Sequence, residues 1–185
     1  MIFGHEDKVD IFKDLVANKK LRHAYLFYGD DSIGKFLFAK HLAHFLEFGK
    51  FEISNQTLLD TQIFEPNEKN SIGIEEAREI KRFLSETPLV SPRRLAIIDR
   101  VDTFTPEAQT SLLKIVEVPP LSALIIFITY DPQVLFPPLL SRLNKIYFRR
   151  LSKENLKNIL QNHFEIPFKK AEALADQSFG RLDTR

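Results

Sequence analysis

Apolar residues along this chain alternate between short continuous runs and segments with the 3.6-residue period of a helix. Three strong runs predict buried strands, at residues 24–28, 95–98 and 123–129. Weaker runs at 57–59, 62–64 and 146–148 have strand character, and 139–142 favours a short helical turn. Helical periodicity predicts helices at 6–18, 36–48, 74–85 and 105–116. Strands that alternate with helices indicate an α/β fold built on a parallel sheet.

The pattern changes after Arg150, where no further strand is indicated. Ser152 is a suitable N-cap for a helix over 153–162, and a second helix is predicted over 168–177. Two helices bury little apolar surface by themselves. We therefore predict a nucleotide-binding-type core over residues 1–150 and a partial helical domain over 151–185.

Composition limits the function classes. A content of 44% hydrophobic and 28% charged residues is typical of an ordinary globular protein. A net charge of +1 means that any nucleic-acid contact needs a local basic patch. The absence of cysteine excludes disulfides and cysteine zinc sites, and the spacing of His41 and His44 does not suit a helical metal pair, so no metal site is predicted. No signal peptide and no membrane-spanning run are indicated, which favours the cytoplasm.

The first strong strand leads into a loop with the spacing of a phosphate-binding loop, G-x-x-x-x-G-K-[ST]. Gly29, Gly34 and Lys35 occupy its fixed positions, and a helix follows, as the motif requires. Backbone N–H groups and the helix N-terminus would bind phosphate there. However, the last position is Phe36, which has no hydroxyl to ligate magnesium. Binding of ATP and magnesium is therefore expected to be weak or absent.

Acidic residues bear on the same site. Asp30 and Asp31 lie within the loop and are expected to repel a polyphosphate. Asp99 follows the second strong strand directly, at the edge of a parallel sheet where functional groups gather. It would hold the magnesium water of an active site; alternatively, it only caps a turn.

An ordered set of motifs resembles the AAA+ clamp-loader family of bacterial DNA polymerase III. The motifs are Phe3-Gly4-His5-Glu6, His23-Ala24-Tyr25-Leu26-Phe27, Glu107-Ala108-Gln109 with Leu112-Leu113-Lys114, Glu117 and Pro119-Pro120, and Leu140-Ser141-Arg142-Leu143. The match covers nearly the whole chain. It implies an AAA+ P-loop core followed by a helical lid. The family's zinc module and third, collar domain have no counterpart in these 185 residues, which fits either a fragment or a naturally short form.

The resemblance also implies roles for individual residues. Arg142 matches the arginine finger that this family projects into a neighbouring subunit's ATP site. Thr129 or Tyr130 matches the sensor-1 position; Arg181 lies near sensor 2 but is offset by one, so no role is assigned to it. Arg100 replaces the glutamate that polarises the attacking water in active members, and a guanidinium cannot act as a base.

These departures favour a delta-prime-type subunit with no ATPase activity of its own. By resemblance, its partners are gamma/tau- and delta-type subunits in a hetero-pentamer, and through the complex a sliding clamp and primer–template DNA. Vestigial nucleotide contacts are assigned to Gly29, Gly34, Lys35, Asp99 and Thr129. Two alternatives stay open: an active gamma/tau-type ATPase, and a purely structural scaffold.

Overall fold

Five parallel strands form one sheet in the part of the chain that the computed structural model describes, residues 2–67, 70–164 and 166–178. The strands are β1 (Ala24–Tyr28), β2 (Thr61–Phe64), β3 (Arg94–Ile98), β4 (Ala123–Thr129) and β5 (Asn144–Tyr147). Their spatial order is β2-β3-β4-β1-β5. The two central pairs are in register from Ala24 opposite Ile125 and from Arg94 opposite Ala123. The predicted α/β fold with a parallel sheet is confirmed.

Helices cover both faces of this sheet, and two more follow its last strand. They are α1 (Glu6–Ala17), α2 (Lys35–Phe48), α3 (Ile74–Ser85), α4 (Pro106–Glu117), the short α5 (Pro137–Leu140), α6 (Lys153–Phe164) and α7 (Phe168–Ser178). The hydroxyl of Thr105 accepts the Ala108 N–H at 3.2 Å, which caps α4. Gly49 ends α2 at φ +73°, a conformation that glycine adopts readily. None of the described helices is long and apolar enough to cross a membrane.

Alternate strand residues pack into two separate cores, because successive side chains of a strand point to opposite faces. Leu26 and Phe127 pack with α3, α4 and α5 on one face. Phe27 and Ile126 pack with α1 and α2 on the other. Rings of Phe12, Phe27 and Phe38 lie 5.6–5.8 Å apart in this second core. These phenylalanines therefore serve packing.

Three weak predictions need correction. Residues 57–59 form no strand, because the Glu47 carboxylate accepts the N–H groups of Leu59 and Asp60 at 2.7 and 3.0 Å and so holds the chain as a loop. The short helix precedes its predicted place and is α5, started by two prolines at its first turn. Strand β5 begins at Asn144 and ends before Phe148, although the Phe148 N–H still donates to Tyr28 O at 2.8 Å.

The last two helices pack against each other, and Leu156 of α6 and Ala171 of α7 are buried. Ser152 caps α6 as predicted, accepting the Asn155 N–H at 3.1 Å. The division into domains at residue 150 stays a prediction. Arg181 lies outside the described residues.

Candidate functional site

A cleft of about 510 Å³ lies at the carboxyl ends of β1, β3 and β4. It is lined by the phosphate-type loop, by the residues that follow β3 and β4, and by the segment after β2. Gly34, Lys35, Asp99 and Thr129, four of the residues predicted for a nucleotide site, meet in this lining. Gly29 and Arg142 do not line it. The sheet topology explains the meeting, because parallel strands end at one edge.

Lys35 is folded back onto its own loop. Its ammonium donates to Gly29 O at 2.6 Å and to Asp30 O at 2.5 Å, and the residue is 6% exposed. The loop carbonyls thus accept N–H groups of Lys35 that would otherwise be available to a terminal phosphate.

The loop keeps glycine-like backbone conformations. Gly34 has φ +92° and Gly29 has φ +136°. A Cβ on Gly29 would lie 2.1 Å from Phe148 O, so the residue is required for close approach of the chain after β5. Ser32 also adopts a positive φ of 57°, which is unusual for a residue with a side chain. The loop therefore has a positive φ at three positions, two of which are its motif glycines.

An aromatic ring takes the place of the missing hydroxyl. Phe36 lines the cleft, and Lys40 Nζ lies 5.6 Å from the centre of its ring. A lysine at this distance makes a cation–π contact. The residue at the motif position of Ser or Thr thus offers no oxygen as a ligand.

The two loop carboxylates have different environments. Asp30 forms an ion pair with Arg150, with 2.5 Å between Oδ2 and Nε. Asp31 lines the cleft, as do Glu65, Asp99 and Asp102. Of the two aspartates expected to repel a polyphosphate, only Asp31 therefore faces the cleft. Asp30 instead links the loop to the segment that enters α6. With four acidic and three basic side chains, the lining has no excess of positive charge to attract a polyphosphate.

Asp99 and Arg100 stand together at the end of β3. Asp99 is buried, and its Oδ1 accepts the Arg100 N–H at 3.0 Å. Arg100 has φ +55° and donates from Nη1 to Asn70 Oδ1 at 3.2 Å. The turn-capping role that was left open for Asp99 is therefore present in the structure. Arg100 also lines the cleft, and its guanidinium cannot act as a base.

The Thr129 hydroxyl closes a local turn. It donates to Asp131 O at 3.0 Å and accepts the Asp131 N–H at 3.1 Å. Tyr130 also lines the cleft and is more exposed. Which of the two would contact a nucleotide stays a matter of prediction.

His5 was not identified from the sequence as part of this region. Its Nε2–H donates to Ile33 O in the loop at 2.9 Å, and its ring contacts Phe148 edge-on with centres 4.8 Å apart. Burial lowers the pKa of His5. Nδ1 is buried without a hydrogen-bond partner among the described residues, so a proton added there would be unsolvated. Neutral His5 therefore stabilises the loop through its hydrogen bond to Ile33 O.

Arg142 lies elsewhere on the molecule. It precedes β5, whereas Gly29 follows β1, the neighbouring parallel strand. The two are thus separated by the length of β5, roughly 13 Å for four residues. Arg142 forms an ion pair with Glu117 at the end of α4, with 2.8 Å between Nη2 and Oε1. Its side chain is 40% exposed.

Gln109 is a second residue whose part was missed. Buried in α4, it donates from Nε2 to Val134 O at 3.1 Å and accepts the Phe136 N–H at 2.7 Å. It thereby fixes the chain that leads into α5 and to Arg142. An amide on the apolar face of a predicted helix was the signal that could have identified it.

Solved structures with the same fold are AAA+ P-loop proteins. A DNA polymerase III gamma subunit-related protein of Thermotoga maritima has a TM-score of 0.60 at 22% identity, covering 91% of this chain and 60% of that one. The RuvB Holliday junction branch migration motor of the same organism has a TM-score of 0.68 at 15% identity, covering 97% and 58%. Fold and loop together define an AAA+ P-loop core.

Comparisons of the sequence define the family of this chain more closely than the fold does. Residues 4–152 match the family model described as DNA polymerase III, delta subunit. The chain belongs to this family of clamp-loader AAA+ proteins. Curated relatives include the DNA polymerase III subunit gamma/tau of Mycobacterium bovis, 29% identical over 154 residues, and the replication factor C small subunit of Methanosarcina acetivorans, 28% identical over 162.

The coverage of these two relatives is partial. The alignments include 76% and 86% of this chain, but 27% and 46% of the relatives. The chain thus spans about a quarter and about half of their lengths. Since the family is described as delta and the bacterial relative as gamma/tau, these comparisons leave the subunit type open.

Proposed function

We propose that this chain is a delta-prime-type clamp-loader subunit, which does not hydrolyse ATP and supplies Arg142 to the ATP site of a neighbouring subunit. Its partners are gamma/tau- and delta-type subunits of a hetero-pentamer. Through that complex it takes part in loading a sliding clamp onto primer–template DNA during replication. Gly29, Gly34, Lys35, Asp99 and Thr129 are the remains of a nucleotide site.

The observation that carries this proposal is the state of the cleft. Phe36 offers no magnesium ligand, Arg100 offers no base, and Lys35 donates to its own loop. Each of these defects weakens binding or hydrolysis in the chain's own site. Together they favour a subunit that contributes to catalysis by other means.

The placement of Arg142 supports an action between subunits. It lies at the edge of the sheet opposite to the chain's own cleft, and its guanidinium is partly exposed. A guanidinium brought to a neighbour's nucleotide would stabilise the charge that develops on the transferred phosphoryl group.

The test is ATP turnover by the complex reconstituted with the gamma/tau- and delta-type subunits of the same source. Arg142→Ala should lower turnover at the dependent site by a factor on the order of 10³. Arg78→Ala is a matched control, since Arg78 is an exposed arginine paired with Glu75 at 2.7 Å on α3. Unchanged turnover with Arg142→Ala would favour the purely structural scaffold.

A second measurement addresses the gamma/tau-type alternative. The isolated chain is assayed for ATP hydrolysis and titrated with a labelled ATP analogue, with and without magnesium. We expect no turnover and no magnesium-dependent binding. Clear turnover would instead identify an active ATPase subunit.

A further inference from the structure

Arg142 is held by three acceptors that come from two helices. Its Nη1 donates to Pro138 O at 2.6 Å and to Ser141 Oγ at 3.3 Å, both in or beside α5. Its Nη2 forms the ion pair with Glu117 of α4. Both hydrogen bonds use Nη1, so the Nε–H makes none with the described residues. Three of the five guanidinium N–H groups are therefore engaged, and the Nε–H and one N–H of Nη2 stay available to an anion.

Glu117 occupies a position where a carboxylate does not help its own helix. It is the last residue of α4, and the C-terminus of a helix carries partial negative charge. A carboxylate is unfavourable there unless a cation compensates it. Lys114 lies in the same turn, and Arg142 is the cation that forms an ion pair with this carboxylate.

The two helices that carry Glu117 and Arg142's other acceptors, α4 and α5, are joined by buried contacts. Gln109 joins α4 to the segment before α5 through two hydrogen bonds, and Leu139 of α5 is fully buried. Glu117 and Pro138 therefore lie on two helices that are joined by these contacts, and a side chain bridging them has a defined direction. A long arginine would otherwise lose rotamer freedom when it meets a phosphate.

We propose that Glu117 is a positioning residue for Arg142, which sets the direction in which the guanidinium is presented to the neighbouring nucleotide. This inference rests on the proposed function. Glu117 touches no substrate; it acts through Arg142. Its removal should therefore lower the rate of hydrolysis and leave the apparent affinity of the complex for ATP almost unchanged.

The test uses the reconstituted complex with Glu117→Gln, Glu117→Asp, Arg142→Ala and the double variant Glu117→Gln/Arg142→Ala. Glu75→Gln is the matched control, since it removes the charge of an exposed arginine partner on α3. We expect Glu117→Gln to lower kcat about 3- to 10-fold with an unchanged KM, because a misdirected group loses rate and not ground-state binding. Glu117→Asp should restore part of the loss.

The double variant should be no slower than Arg142→Ala alone, because two residues that act as a unit are not additive. A purely structural role for Glu117 would instead slow the Arg142→Ala complex further. Slower turnover by the double variant would therefore overturn the inference. So would a kcat of Glu117→Gln that equals or exceeds that of the unchanged complex, when Arg142→Ala is slow. If Arg142→Ala itself has full activity, the proposed function fails and the inference falls with it.

Discussion

Two cations of this chain, Lys35 and Arg142, have opposite surroundings. Lys35 is buried and donates to two carbonyls of its own loop, so its charge is used within the chain. Arg142 is partly exposed at the other edge of the sheet and is held by acceptors on α4 and α5. The comparison teaches that a cation at the expected motif position can be engaged by its own loop, while a cation outside the cleft stays partly exposed with two N–H groups unused by these contacts.

The largest effect should separate these two residues in the reconstituted complex. Arg142→Ala should lower ATP turnover at the dependent site by a factor on the order of 10³, whereas Lys35→Ala should leave it within about twofold. Steady-state hydrolysis with both variants measures this. An equal loss with Lys35→Ala would mean that the cleft of this chain takes part in turnover.

The second effect concerns stability. Lys35→Ala removes the donor to Gly29 O and Asp30 O, and unsatisfied buried carbonyls cost about 1–3 kcal/mol. Arg142→Ala removes an exposed pair, for which we expect less than about 1 kcal/mol. Urea unfolding of the isolated chain compares the two. If Arg142→Ala were the more destabilising variant, the contrast in their surroundings would be wrong.

The third effect distinguishes the two loop carboxylates. Asp31 faces the cleft, whereas Asp30 is paired with Arg150. Asp31→Asn should therefore strengthen binding of an ATP analogue to the isolated chain about fivefold, since one close repulsion of about 1 kcal/mol is removed. Asp30→Asn should not improve binding, because Asp30 does not line the cleft and Arg150 already compensates its charge. A fluorescence titration measures both, and an equal gain would contradict the assigned roles.

The smallest effect is a dependence on pH. Burial lowers the pKa of His5, and also that of His41 and His44, below the ordinary 6.5. The folded state thus binds fewer protons than the unfolded chain, so stability is fully present above about pH 6.5 and is lost as the pH falls below it. Urea unfolding across this range should show the loss. His5→Gln, which can still donate to Ile33 O, should reduce the slope; an identical slope would exclude His5 as a contributor.

Much of this could be predicted from the sequence, for physical reasons. Continuous apolar runs and a well-marked N-cap at Thr105 are local signals, so the strong strands and α4 were located closely. The sequence also indicated that Gly34, Lys35, Asp99 and Thr129 would lie close together. They belong to the segments after β1, β3 and β4, and the carboxyl ends of parallel strands meet at one edge of a sheet.

The rest depends on contacts between distant residues. Asp30 and Arg150 are 120 positions apart, and nothing near either one indicates the other. Glu47 likewise accepts hydrogen bonds from residues 12 to 14 positions away. These bonds hold a strand-like run before β2 as a loop. The pairing of Arg142 with Glu117 arises from the packing of α5 on α4. Such partners are determined by the tertiary fold and leave no pattern along the chain.

The ion pair between Asp30 and Arg150 makes the loop and the last two helices dependent on each other. Asp30 lies between β1 and α2, and Arg150 lies three residues before α6. An uncharged residue at position 30 would remove the carboxylate that joins the two segments. A rearrangement of the loop must therefore either break this ion pair or displace the segment that enters α6.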